Sequence, residues 1–296
     1  MPEGDTIFRA ARTLHRALGG RTVTSFASVF PALTRVHDDA PITGRTVEEV
    51  AAAGKHVLMT FSGGLVLRTH MRMHGTWHIY RPGEPWKQPR RDMRVLVGTD
   101  AFVAVGFRVP VAEFITAEGL PRHRELRQLG PDLLSGTFDA AEATRRIRAR
   151  PHEMIGDVLL NQRVLAGIGN VYKSETLFAC RVDPFARVAD LTDAAVACLL
   201  ATAERLLRVN VRPSLAPMTT YSGLRRTTGR DDPGARLWVY GRGGRPCRRC
   251  GTAIASRKHG PAARITYWCP RCQPAECRNE GRGTEERRNE GAGIGD

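Results

Sequence analysis

Four cysteines near the carboxyl-terminal end of the sequence constrain its folding more than any other feature. They form two Cys-x-x-Cys pairs, Cys247 with Cys250 and Cys269 with Cys272, and residues 251–268 separate the pairs. Two such pairs at this distance are a common way for four thiolates to close a tetrahedral zinc site. Because four sulfur ligands leave no position for water, we expect one structural zinc ion per chain, held by a zinc-finger hairpin. Iron in the same four-cysteine site is the alternative.

Charge and hydropathy narrow the class of partner. The chain of 296 residues carries 45 Lys and Arg against 30 Asp and Glu, a net charge of +15. This excess favours a polyanionic partner, above all nucleic acid. No apolar run reaches the roughly 20 residues of a membrane-spanning helix, and no basic-then-apolar leader is present, so we expect a cytoplasmic protein without a membrane partner. The helix cysteines Cys180 and Cys198 are expected to be core thiols.

Hydrophobic periodicity divides the chain into parts. A helical stripe over 5–18, with Asp5 as a candidate N-cap, precedes short stretches of period two that predict an antiparallel β-sandwich. From about residue 125 helical patterns replace them, and the tail has almost no apolar residues. We therefore predict an α+β, multidomain protein. Its parts are a helix plus β-sandwich at 1–124, a helical domain at 125–222, a linker loop and zinc finger at 223–273, and a disordered tail at 274–296.

A glycine-rich turn opens one of the predicted helices. Residues 165–170 read Leu-Ala-Gly-Ile-Gly-Asn, with Gly167 and Gly169 ahead of Asn170. Glycines let backbone N–H groups approach an anion closely, and the positive end of a helix attracts it. The turn therefore fits a phosphate clamp, although a plain helix-entry turn has the same composition.

The amino terminus has the most chemically suggestive residues. Excision of Met1, which is usual before a small residue, leaves Pro2 with a free secondary amine. Such an amine attacks a sugar aldehyde to give a cationic iminium, which acidifies the adjacent carbon. An α-amino group has an ordinary pKa of about 8, and the positive end of the first helix favours its neutral form. Glu3 could transfer protons next to it, yet many proteins begin Met-Pro for no catalytic reason.

These motifs and their order resemble the formamidopyrimidine-DNA glycosylase/endonuclease VIII family. The similarity extends from residue 2 to about residue 273. It rests on the start Met-Pro-Glu-Gly, on Gly54-Lys55 ahead of a strand, on the segment 159–172 around the glycine turn, and on Val-Tyr-Gly-Arg at 239–242 before the cysteines. The resemblance implies that the helical domain is a helix-two-turn-helix DNA-binding domain.

The resemblance also assigns roles to residues at matching positions. Pro2 would be the Schiff-base nucleophile at C1′ of the damaged nucleotide, and Glu3 its acid/base partner. Lys55 would contact a DNA phosphate close to the lesion and support activity. Asn170, beside the N–H groups of the glycine turn, and Arg264, in the zinc finger, would bind phosphates near the flipped nucleotide.

Lesion choice depends on other segments. In the family a β-loop fills the hole that the extruded base leaves, and the corresponding segment here is 70–75, with Met73 as the wedge. Residues 106–109 lack the Arg-Arg-Phe-Gly of enzymes that remove oxidised purines, which favours the endonuclease VIII-like branch and oxidised pyrimidines. Thr6 stands where both branches have glutamate, so abasic sites and single-stranded DNA are alternatives.

Functions of different classes fit these features. The first is a bifunctional DNA glycosylase and abasic-site lyase of base excision repair. It would act as a monomer on damaged double-stranded DNA, at the nucleoid of a bacterium, and nick by β- and then δ-elimination. The second is a non-catalytic, zinc-containing protein that binds lesions or branched DNA, and a nicking assay separates the two. A third, an RNA-binding zinc ribbon, leaves the Met-Pro-Glu start unexplained.

Overall fold

The computed structural model describes residues 2–211, 225–230, 232–260 and 263–275. The helices are α1 Gly4–Leu18, α2 Pro31–Asp39, α3 Arg124–Arg127, α4 Ala140–Arg148, α5 Ile155–Val158, α6 Asn170–Ala179 and α7 Asp193–Asn210. The strands are β1 Val23–Ser28, β2 Val47–Ala53, β3 His56–Phe61, β4 Leu65–His70, β5 Thr76–Tyr80, β6 Met93–Thr99, β7 Val103–Phe107, β8 Val111–Thr116, β9 Ala255–His259 and β10 Arg264–Trp268. Among these helices, none has the length and apolar character that crossing a membrane requires.

The amino-terminal part is a sandwich of two four-stranded antiparallel sheets. Their strand orders are β1-β6-β7-β5 and β2-β3-β4-β8. Alternating side chains from both sheets, such as Met59 of β3 and Val97 of β6, are buried in one shared core. The apolar stripe of α1, from Ile7 to Leu18, packs into the same core. These observations confirm the predicted helix plus antiparallel sandwich.

The first helix begins differently from the prediction. Its N-cap is Glu3, and Asp5 lies inside the first turn with its side chain fully buried. The Asp5 carboxylate is paired with the Arg225 guanidinium at 2.9 Å. Because a buried carboxylate requires a partner, this ion pair accounts for Asp5 better than a capping role does.

Helices α4 to α7 enclose a second core. The N-cap of α7 is Thr192, whose hydroxyl accepts a hydrogen bond from the Ala195 N–H at 3.1 Å. α6 and α7 pack against each other, and a disulfide joins Cys180 to Cys198, whose Cα atoms lie 6.0 Å apart. The prediction of two core thiols is therefore wrong, because helix packing brings both side chains within the range of a disulfide.

The carboxyl-terminal module is a hairpin that rests on α6. β9 and β10 pair antiparallel, with Arg264 opposite His259 at the turn. β10 packs against α6, which places the hairpin beside the glycine turn at the start of that helix. Residues 223, 224 and 231 of the predicted linker loop lie outside the described residues, and so does the predicted tail from residue 276 onward.

Candidate functional site

The candidate site is built around the turn that enters α6. The Glu3 carboxylate accepts hydrogen bonds from the backbone N–H groups of Gly169 at 3.1 Å, Val171 at 2.8 Å and Tyr172 at 3.2 Å. Glu3 is fully buried at this position. Three convergent N–H groups and the positive end of the helix hold the carboxylate in one orientation. The residue that follows Pro2 is thereby fixed against the helical domain.

Two glycine contacts permit this close approach. The Gly4 N–H donates to the Gly167 carbonyl at 2.8 Å, and a Cβ on Gly4 would come within 2.9 Å of the Gly167 backbone. A Cβ on Gly169 would lie 2.4 Å from Glu3 Cδ. The Gly167 N–H donates to Gln162 Oε1 at 3.1 Å. Both glycine N–H groups are thus engaged within the protein. The phosphate clamp predicted for Gly167 and Gly169 needs correction, because the anion at this helix end is Glu3.

Lys55 reaches the same turn from the sandwich. It follows Gly54, which connects β2 to β3 with a φ of 56° and whose N–H donates to Asp132 Oδ2 at 2.7 Å. The Lys55 ammonium donates to the carbonyl of Ile168. Since Ile168 immediately precedes the residues that hold Glu3, the lysine and the carboxylate lie at one site.

The surroundings of Lys55 favour proton transfer. Burial lowers the pKa of its ammonium to about 8. The Glu3 carboxylate opposes this shift, whereas the positive charges of Arg264 and Arg225 add to it. A pKa this close to neutrality lets a side chain take up or release a proton at working pH.

The predicted DNA contacts converge on the same face. The Asn170 side-chain amide, at the first turn of α6, donates to the Ile265 carbonyl of β10 at 2.7 Å. Arg264 directly precedes Ile265, and its guanidinium contacts Met73 Sδ at 3.4 Å. The structure therefore brings residues of the sandwich loop, the helical domain and the zinc-finger hairpin next to one another.

The loop that carries Met73 distinguishes its two methionines. Met71 is 2% exposed and belongs to the sandwich core, whereas Met73 is 42% exposed. Between them Arg72 has a left-handed φ of 44°, and its N–H donates to His70 Nδ1 at 2.9 Å. This bend turns Met73 outward, as a wedge requires.

An ion-pair network that no sequence pattern predicts lies beside the site. The Arg225 guanidinium donates to both Asp5 oxygens and, at 2.9 Å, to the Thr6 hydroxyl. It also lies 5.4 Å above the centre of the Tyr172 ring. Arg225 falls in a segment that reads as loop, so no local pattern signals a partner more than two hundred positions away.

A further buried carboxylate, Glu175, has no signal in the sequence. It accepts hydrogen bonds from the N–H groups of Trp238 at 2.8 Å and of Val239 and Tyr240, both at 2.9 Å. The Thr227 hydroxyl donates to the same carboxylate. Glu175 therefore anchors the chain that leads into the zinc finger to the helix that holds Glu3.

The four cysteines form a candidate metal centre. Their sulfur atoms all lie within 4.8 Å of one another. Cys247 Sγ is 3.9 Å from Cys272 Sγ, and Cys250 Sγ is 3.4 Å from Cys269 Sγ. A tetrahedron with zinc–sulfur bonds of about 2.3 Å has sulfur–sulfur edges of roughly 3.8 Å. The donor set and its spacing fit a structural zinc ion.

Comparison with known protein families decides the classification. The formamidopyrimidine-DNA glycosylase N-terminal domain matches residues 1–108, and the formamidopyrimidine-DNA glycosylase H2TH domain matches residues 129–221. The zinc finger found in FPG and IleRS matches residues 244–275. The chain belongs to the formamidopyrimidine-DNA glycosylase/endonuclease VIII family.

Individual family members cover nearly the whole chain. A Streptomyces coelicolor protein named probable endonuclease 8 2 is 44% identical over 278 residues, which span 92% of this chain and 94% of the relative. A Mycolicibacterium smegmatis protein named DNA-(apurinic or apyrimidinic site) lyase Nei2 is 36% identical, over 93% of this chain and 100% of the relative. The fold matches Lactococcus lactis Fpg, solved with abasic-site DNA, with a TM-score of 0.77 at 23% identity, over 93% of this chain and 100% of that one.

Proposed function

We propose that the chain is a bifunctional DNA glycosylase and abasic-site lyase of base excision repair, with Pro2 as nucleophile. One observation carries the proposal: Glu3, the neighbour of Pro2, is clamped by three N–H groups at the start of α6, where Lys55 also binds. A nucleophile beside a fixed carboxylate and an amine of near-neutral pKa is the arrangement that imine chemistry requires.

The proposed reaction begins at C1′ of the damaged nucleotide. The Pro2 nitrogen forms a bond to C1′ while the glycosidic bond breaks, and the base leaves with the bonding electrons and takes up a proton. Opening of the sugar ring gives an iminium, which acidifies C2′. Removal of the C2′ proton then expels the 3′ phosphate, and a second elimination expels the 5′ phosphate. Glu3 transfers protons in these steps, and Lys55 binds a phosphate nearby.

The remaining residues hold the DNA in this proposal. Asn170 and Arg264 bind phosphates, and Met73 fills the space of the extruded nucleotide. Zinc, held by the four cysteines, maintains the fold of the hairpin that carries Arg264. The enzyme acts as a monomer on damaged double-stranded DNA in the bacterial cytoplasm. The name of the Mycolicibacterium smegmatis relative supports the lyase step.

The 106–109 segment lacks Arg-Arg-Phe-Gly, which supports oxidised pyrimidines as the substrates. Phe107 is fully buried and packs edge-on against Trp86, with ring centres 5.6 Å apart. Arg108 has a left-handed φ of 50°, and its N–H donates to the Asp92 carbonyl at 2.7 Å. The segment is thus a tight turn, and its aromatic side chain, that of Phe107, packs inside the protein. This packing supports the endonuclease VIII-like assignment.

Borohydride trapping tests the proposal. The mature protein, with removal of Met1 verified by intact mass, is incubated with duplexes that contain an abasic site, an oxidised pyrimidine or an oxidised purine. Covalent trapping and nicking are expected with the first two. Pro2→Leu should abolish both while binding of an uncleavable tetrahydrofuran duplex persists. If the mature wild type binds DNA but is neither trapped nor nicks, the non-catalytic DNA-binding alternative replaces this proposal.

A further inference from the structure

One buried lysine takes no part in the steps above. Lys173 lies on α6, one turn after Asn170, and is 1% exposed. Its ammonium donates to the Thr266 hydroxyl of β10 at 2.7 Å, and Thr266 is itself fully buried. Lysine is rarely buried so completely, because desolvation of its charge is costly. A lysine at this interface therefore points to a function that a neutral residue would not supply.

Two adjacent hydrogen bonds join α6 to β10. Asn170 donates to the Ile265 carbonyl, and Lys173 donates to the hydroxyl of the next residue, Thr266. Arg264 directly precedes these two acceptor residues, Ile265 and then Thr266, in the strand. Together the bonds fix the position of the Arg264 backbone relative to the first turn of α6. Loss of the Lys173 bond would remove one of these two links and leave the bond from Asn170 to the Ile265 carbonyl.

The charge of Lys173 also acts, from inside the protein, on the surface that carries Arg264. Its electrostatic neighbours are Asp157 of α5 and the Glu3 carboxylate, which attract it, and Arg264, which repels it. His259 at the end of β9 is also within electrostatic reach of the lysine. Charges that interact through a protein interior are screened less than charges separated by water. An anion bound at Arg264 would therefore experience the charge of Lys173 as well.

We propose that Lys173 is a positioning residue for DNA binding. Its ammonium holds β10 on α6 so that Asn170 and Arg264 face the same stretch of DNA backbone, and its buried charge attracts the phosphate without contact. The inference rests on the proposed function, since it takes Asn170 and Arg264 as phosphate contacts.

Protonation offers a way to measure this role. Burial lowers the pKa of Lys173 to about 8, with Asp157 and Glu3 opposing the shift and Arg264 adding to it. A phosphate bound nearby stabilises the ammonium, so DNA binding near pH 8.5 should be accompanied by proton uptake at Lys173. Lys55 also has a pKa of about 8 and contributes separately. Variants at position 173 isolate the contribution of that residue.

The experiment uses the full chain and a duplex with a tetrahydrofuran abasic analogue. Affinity is measured by fluorescence anisotropy from pH 7 to 9.5, and proton uptake by calorimetry in buffers of different ionisation enthalpy. At pH 7, Lys173→Met should weaken binding about tenfold, because a weakly screened charge is lost. Lys87→Met, which removes an exposed charge elsewhere, is the matched control.

Lys173→Arg and Thr266→Val separate charge from position. The arginine variant, whose charge persists at every pH tested, should bind within about threefold of wild type at pH 7 and lose the proton uptake assigned to Lys173. The valine variant keeps the charge and should lose affinity while retaining that uptake. If Lys173→Met binds like Lys87→Met, or if Lys173→Arg takes up as many protons as wild type, the inference is refuted. Failure of the wild type to bind the duplex would instead refute the proposed function.

Discussion

Glu175→Gln tests whether one buried carboxylate anchors the chain that leads into the zinc finger. Oε1 accepts from the Val239 and Tyr240 N–H groups, and Oε2 accepts from the Trp238 N–H and the Thr227 hydroxyl. Glutamine preserves the shape but replaces one oxygen with an NH₂ group. With that group at the Oε2 position, the Trp238 N–H faces a donor and loses its acceptor.

The expected cost follows from the number and kind of these bonds. A buried donor left without an acceptor costs about 1–3 kcal/mol. Burial raises the pKa of Glu175, and its four hydrogen bonds oppose this shift. Where the carboxyl is ionised, the two bonds kept at Oε1 each weaken by about 1 kcal/mol, because an amide oxygen is a weaker acceptor than a carboxylate oxygen. Burial of an amide in place of a carboxylate offsets part of the loss. We expect the segment at 238–240 to lose about 3 kcal/mol of stability against local opening.

Hydrogen exchange measures this change directly. A loss of about 3 kcal/mol raises the exchange rates of the Trp238, Val239 and Tyr240 N–H groups by about 100-fold. The matched control is Glu204→Gln on α7, where the carboxylate pairs with Arg208 on the surface at 2.8 Å. Such a pair contributes less than about 1 kcal/mol. Exchange within threefold of wild type in Glu175→Gln would show that the carboxylate does not anchor this segment.

Three further changes test separate parts of the molecule. Gly169→Ala would place a Cβ 2.4 Å from Glu3 Cδ, so borohydride trapping should fall by about tenfold or more, whereas Gly136→Ala, with open space around its Cβ, should trap normally. Cys250→Ser should release zinc, as measured by atomic absorption, and full zinc content would contradict the four-thiolate site. Burial lowers the pKa of His56 from 6.5 to about 2, so the unfolded chain takes up a proton there more readily than the folded protein does. The stability that His56 contributes above pH 6.5 is therefore lost as the pH falls towards 2, and His56→Gln should flatten the acid-side decline of Tm; an unchanged decline would disprove this.

Local patterns in the sequence predict much of the architecture. The apolar stripe of α1 predicts a helix, and the stretches of period two predict an antiparallel sandwich; both are present. β2 was not predicted, because its residues, Val-Glu-Glu-Val-Ala-Ala-Ala, do not alternate and its register shifts at one end. A bulge of this kind removes the period-two signal.

In the candidate site, too, the sequence predicts what depends on local motifs and not what depends on contacts between distant segments. The zinc ligands and the Pro2-Glu3 start are contiguous motifs, so the sequence reveals them. The partners of Asp5 and Glu175 lie on distant segments, and only the fold brings them together. Tertiary contacts also explain the disulfide between Cys180 and Cys198, whose spacing of eighteen positions gives no sign of a covalent link.

The clamp on Glu3 has a consequence for recombining family members. The carboxylate comes from the sandwich side of the chain, whereas the three N–H groups that orient it come from the helical side. Neither half expressed alone would assemble the proposed reacting centre. A chimera of two relatives should therefore exchange residues 2–4 and 165–172 as one cassette, since a crossover that mixes them would join surfaces that evolved apart.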